Sequence, residues 1–251
     1  MVGLIWLLLL GIGVAYALAP EARPRTGPRQ ASVIRQGDTY LVHYRWPHGG
    51  REWEASWHVS VEWLIATERE LAELPEVVLE NLDRQGIDRD HPDLGLWFWR
   101  RAWRRIAALN LDRIDEVVET FRTFKEENGL DDAEIKLLAL QFVQSLPYAT
   151  PEGELGVYAP PQTLVRALGD CDTKSLLYLL ILRKLGYDAI MLYSPHYQHA
   201  MVGIGASSPG TFIELDGQRY YFCETTQLGF WIGEVSPSVG DLARWIPLRI
   251  L

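Results

Sequence analysis

Residues 169–188 read GDCDTKSLLYLLILRKLGYD. From Leu176 to Leu182 every side chain is apolar or aromatic. A helix that is apolar on all sides is a core helix, not a surface one. Its ends are marked. Asp170 suits the N-cap and Gly169 relaxes the turn before it, while Arg183 and Lys184 complement the dipole at the other end. Gly186 suits the left-handed position just past the last turn. The helix is therefore expected from Cys171 to about Leu185. That puts a thiol in the first turn, where unpaired N–H groups and the positive dipole end stabilise a thiolate. Asp170 and Asp172 act against it if their charges face the sulfur.

Downstream the period changes from helix to strand. YDAIMLYS (187–194), HAMVGIG (199–205), TFIEL (211–215) and RYYFCETT (219–226) read as consecutive strands, with LDGQ (215–218) a hairpin turn. Upstream, DDAEIKLLALQFVQSL (131–146) and PQTLVRAL (161–168) read as helices. Helices followed by an antiparallel sheet indicate an α+β domain. Cys171 and His199 stand 28 positions apart, the length of one helix, a turn, a strand and a loop. Such a path returns the imidazole to the thiol. Glu224 lies 25 positions further on, enough for a hairpin to bring the next strand alongside. A carboxylate among Tyr220, Tyr221, Phe222 and Cys223 is costly to bury unless it is paired. A Cys–His–carboxylate set satisfies that need and supplies nucleophilic chemistry.

GDCDTKSLLYLLILRKLGYDA, HAMVGIG and YYFCETT, in that order, resemble the core of the transglutaminase-like cysteine-enzyme superfamily, particularly its prokaryotic branch. FVQSLPY and YAPPQTLVRALGDC are similar to the stretch leading into that core, and the similarity covers roughly residues 135–235, with a weaker likeness in YRWPHGGREWEASW. The resemblance implies a papain-like fold, with a helix-borne Cys171 packed on an antiparallel sheet that carries His199 and Glu224 as the rest of the triad. It implies thiol-dependent acyl transfer on amide bonds of peptides or proteins, without a cofactor. Hydrolysis is favoured over crosslinking, because a crosslinking enzyme must exclude water and no feature of the sequence does so. The third triad member in such enzymes is usually Asp, and Thr173 stands where many relatives carry an acid. For a second oxyanion donor the sequence offers Gln144 or Tyr148.

Other readings of these residues stay open. Free Cys packs as a small hydrophobe, so Cys171 also suits a structural place. A transglutaminase-like module that binds peptides without catalysis is one alternative. Another is a zinc-binding structural domain using Cys171, His196, His199 and Cys223. Strand alternation turns Cys223 away from Glu224, which argues against zinc.

Further out, DTYLVHYRW (38–46) and REWEASWHVS (51–60) read as two strands joined through PHGG, followed by a helix from Val61 to about Leu74 and an irregular segment around DRQGIDRDHPD (83–93). LWFWRRAWRRIAALNL (96–111) places Trp99, Trp103 and Ile106 at helical spacing, as it does Arg100, Arg101, Arg104 and Arg105. Such a helix either lies on an anionic surface or simply turns its tryptophans to the core. The net charge of -9 excludes a broad nucleic-acid surface, and two cysteines exclude a disulfide framework. Val2 to Ala19 carry no charged side chain, so residues 1–19 are expected to be a signal peptide or membrane anchor. Residues 20–32, rich in Pro and Arg, read as a linker. The remaining organisation is a hairpin and helical region over 33–130 and a catalytic core over 131–251.

Overall fold

In the computed structural model the described residues are 31–206 and 208–251. The expected anchor and most of the expected linker lie outside them. The chain is mixed α and β, with two antiparallel sheets among the described residues. The first is formed by β1 (Ala31–Gln36), β2 (Thr39–His48) and β3 (Arg51–Ser60), in that order. β1 takes up the last two residues of the expected linker, and its exposed side chains gave no alternating pattern to read. β3 alternates as a half-buried strand must: Trp53, Ala55, Trp57 and Val59 point inward. Gly49 and Gly50, both at positive φ, make the β2–β3 turn.

Three helices follow: α1 (Val61–Arg84), α2 (Leu94–Asn110) and α3 (Asp115–Asn128). α1 does not stop near Leu74. It continues through Pro75, because Leu74, Val78, Leu79 and Leu82 keep one apolar face against the core. That burial outweighs the hydrogen bond lost at the proline. In α2, Trp99, Trp103 and Ile106 are buried while Arg100, Arg104 and Arg105 are exposed. The tryptophans thus belong to the core. α3 has no counterpart in the sequence reading, since only Val117, Val118 and Phe121 of it are buried.

α4 (Asp132–Ser145) starts at a capping box in which Asp131 and Glu134 satisfy each other's backbone N–H groups. Phe142 of α4 packs against Tyr44, Trp46 and Trp57, with ring centroids 5.1–5.3 Å away. One hydrophobic cluster therefore runs from Val42 to Ile250, across the expected boundary at 130/131. α5 (Pro160–Arg166) leads into α6 (Cys171–Lys184), the helix quoted first. Leu176 to Leu182 are fully buried.

The second sheet contains β4 (Ala189–Ser194), β5 (His199–Gly205), β6 (Phe212–Leu215), β7 (Gln218–Cys223) and β8 (Ile246–Leu248), in the order β6-β7-β5-β4-β8. α6 packs on one face of it, against Ala200, Val202, Ile204 and Cys223. Ile190, Leu192, Met201, Tyr220 and Phe222 fill the other face with Trp245. β5 is central, and both β4 and β7 pair with it antiparallel. This geometry brings the N-terminus of α6, the first residue of β5 and the chain leaving β7 to one end of the sheet.

Candidate active site

Cys171 is the first residue of α6 and is 2% exposed. Asp170 caps the helix, its Oδ1 accepting the Thr173 N–H at 3.0 Å. Gly169 is required here for space more than for conformational freedom: a Cβ at that position would lie 2.6 Å from Thr173 Cγ2. Thr173 is itself buried, and its hydroxyl oxygen accepts the Tyr158 N–H at 3.1 Å. That contact ties Thr173 to the chain ahead of α5.

His199 opens β5, and Glu224 is the first residue after β7. His199 Nε2 and Glu224 Oε2 are 3.0 Å apart, with the carboxylate almost completely buried. Glu224 Oε1 accepts the backbone N–H and the hydroxyl of Thr226. Burial alone pushes this carboxyl upward. The hydrogen bond and charge of His199, with the two Thr226 bonds, bring it below the usual glutamate range. Trp245 lies edge-on to the imidazole, with centroids 5.9 Å apart, and donates its indole N–H to the Val239 carbonyl. The ring covers one side of the imidazole, whose side chain keeps 16% exposure.

The thiol belongs to the same neighbourhood, but its hydrogen bond is made to an acid and not to the imidazole. Its hydrogen bond goes to Asp172 Oδ1 at 3.5 Å, and it also meets the N–H of Ala200, the residue after His199. The helix start does not win here. Burial first, then Asp172 and Asp170, push the Cys171 thiol well above its ordinary value, with the Ala200 N–H opposing them. The thiol is therefore neutral at rest. Burial and Asp170 likewise raise Asp172, to about 7, against the pull of the thiol and His199. Asp170 is also raised, mainly by burial.

The oxyanion candidates fare unequally. The Gln144 side-chain amide donates to the Glu224 carbonyl at 2.7 Å and to the Phe230 carbonyl at 3.0 Å, so its nitrogen is committed to holding the chain after β7. It is not a donor for a substrate. Tyr148 bridges to Gly169 and is 44% exposed, two residues from the helix that carries the thiol. His196 lies in the loop before β5, and Cys223 is buried on the α6 side of the sheet. Among the described residues no group of three or more His, Cys, Asp or Glu side chains gathers to hold a metal ion. The four residues of the zinc reading, Cys171, His196, His199 and Cys223, form no such group.

Three side chains of the site had escaped the sequence reading. Lys174, fully buried, donates to the Leu146 carbonyl at 2.8 Å and the Gln144 carbonyl at 3.4 Å. Ser175 donates to the Ala200 carbonyl at 3.1 Å, so the 2.9 Å contact with Thr225 is donated by the threonine. Tyr193 packs edge-on against Trp103 at 5.1 Å and is raised by burial and by the nearby Asp172 and Cys171. The missed signal was spacing: Lys174 and Ser175 are three and four residues from Cys171, hence on its face of the helix. In comparisons with known proteins the chain matches no family model, no curated protein and no solved structure.

Proposed function

We propose that the chain is a thiol-dependent acyl-transfer enzyme that hydrolyses amide bonds of peptides or proteins. Cys171 is the nucleophile, His199 the proton carrier and Glu224 the residue that orients the imidazole. The observation that carries this reading is the buried 3.0 Å contact between Glu224 and His199 Nε2, made where β5 meets the thiol end of α6. A buried carboxylate on an imidazole fixes its tautomer. With the Nε2 proton given to Glu224, Nδ1 is the acceptor left for the thiol.

As the sulfur–carbon bond forms, the thiol proton passes to Nδ1. The carbonyl oxygen takes the negative charge, with the Cys171 backbone N–H as one donor, since the first N–H groups of a helix have no intrahelical acceptor. Collapse breaks the carbon–nitrogen bond, and the imidazolium returns the proton to the leaving amine. Water then attacks the thioester, gives a proton to His199 and releases the thiol. A raised resting thiol suits this route, in which the base takes the proton during attack.

The arrangement of a Cys-bearing helix on an antiparallel sheet carrying His and Glu supports a papain-type, transglutaminase-like core over 131–251. Cys171→Ala should abolish amine release from peptide amides by the purified protein. Unchanged turnover would remove Cys171 as the nucleophile. A second reading, a peptide-binding module without catalysis, is favoured by the sulfur's bond to Asp172 in place of the imidazole. In that case Cys171→Ala keeps peptide affinity and there is no turnover to lose. The N-terminal residues 2–19 complete the proposal as a membrane tether. No helix among the described residues is long and apolar enough to cross a membrane. Protease access to a C-terminal tag in intact and opened cells would report which side the core occupies.

A further inference from the structure

Lys174 is the one fully buried lysine among the described residues, and it lies behind the nucleophile. Its Nζ is held by the Leu146 and Gln144 carbonyls at the end of α4. Gln144 also donates to the carbonyl of Glu224, so a single residue joins the ammonium to the acid of the site. An ammonium removed from water is costly unless anions face it. The acids acting on Lys174 are Glu224 from the chain after β7 and Asp170 from the start of α6, with the neutral Cys171 thiol beside them. From α4 it meets only carbonyl groups. Asp172, His199 and Tyr193 are the other titratable groups around the thiol.

His199 must be neutral to accept a proton. Glu224 then has no imidazolium beside it, though its carboxylate stays buried. We propose that Lys174 is the standing counter-charge of the site, the buried cation that keeps Glu224 ionised while His199 is neutral and able to act as a base. Burial draws the ammonium down to about 7, against Glu224, Cys171 and Asp170, so the counter-charge is in place below neutral pH, half present near pH 7 and withdrawn above it. Lys174 is thus a positioning residue that acts through Glu224. The inference rests on the reading of Cys171, His199 and Glu224 as one acid–base site.

The test is an NMR titration of the His199 imidazole in the full chain. Lys174→Gln keeps a donor for the Leu146 carbonyl and removes the charge. The Glu224–His199 pair should then hold its proton more tightly, moving the His199 midpoint upward by about one pH unit, a tenfold gain in proton affinity. Lys174→Arg, which keeps the charge, should leave the midpoint near wild type. An unmoved midpoint in folded Lys174→Gln, or an equal shift in Lys174→Arg, overturns the proposal and leaves Lys174 a helix-end ligand. If Lys174→Gln does not fold, Glu224→Gln serves instead. Loss of the acid's charge should lower the Lys174 ammonium's own midpoint by a similar amount, and no change overturns the proposal. Failure of the enzyme reading shows separately, as turnover that survives Cys171→Ala.

Discussion

Two halves of α6 are buried alike, Asp172 apart, and differ in chemistry. From Leu176 to Leu182 the helix is fully buried and apolar; from Cys171 to Ser175 it carries Cys, Asp, Thr, Lys and Ser, of which Cys171, Thr173, Lys174 and Ser175 are at most 2% exposed. The apolar half needs nothing but neighbours of the right shape. Each polar group in the first turn has a named partner: Asp172 for the sulfur, Tyr158 for Thr173, two carbonyls for Lys174, Ala200 and Thr225 for Ser175. Burial of polar groups is tolerated where hydrogen bonds replace water. The helix is thus anchored by its apolar half, while its first turn holds the residues proposed to act, and substitutions in the two halves should fail in different ways.

The largest contrast is expected at the residue that the first turn faces. Glu224→Gln keeps the shape but offers His199 a group without charge. Turnover should fall by about 10³-fold or more, while the melting temperature changes little, because the Thr226 contacts still have an oxygen to meet. Equal turnover in the variant would separate Glu224 from the chemistry. In the apolar half, Leu179→Ala should do the reverse. It opens a cavity in the core and costs about 2–5 kcal/mol of stability, read from denaturant midpoints. Below its melting transition the pH dependence of turnover should match wild type. A changed profile would mean that the two halves are coupled more tightly than their contacts imply.

The same contrast explains what the sequence made legible. The apolar run, Asp170 as N-cap and Gly186 at positive φ bounded α6 to within a residue, because each signal is local. HAMVGIG coincides with β5, and Asp216-Gly217 marked the β6–β7 turn. His199 and Glu224 were found because a carboxylate inside an aromatic strand is out of place unless it is paired. α3 was not found, since three buried residues in a charged segment leave little periodicity. The thiol's electrostatics were misjudged for a different reason. A helix N-terminus can be read from the sequence, but whether Asp172 turns toward the sulfur depends on a rotamer and on how deeply β5 buries both. Gln144 failed likewise: its amide is taken by the carbonyls of residues 224 and 230, contacts 80 and 86 positions away along the chain.

Asp172 offers the smallest effect and the sharpest test of which half sets the cost. Its carboxyl, near 4 in an unfolded chain, is held at about 7 by burial and by Asp170. Between those values the folded protein binds a proton that the unfolded chain has released. By linkage, stability falls as pH rises across that window, and the full penalty is present above it. Asn cannot ionise, so Asp172→Asn removes the penalty. It should be more stable than wild type at pH 8, by about 1–2 kcal/mol after allowing for partial exposure, and the advantage should vanish at pH 4. The sulfur loses a like charge in the same variant. Alkylation of Cys171 should therefore begin at lower pH than in wild type, while Cys223, buried against Tyr178 and raised by that burial, stays unreactive in both. A stability gain without the alkylation shift would mean that Asp172 ionises facing solvent, and that the thiol is held neutral by burial alone.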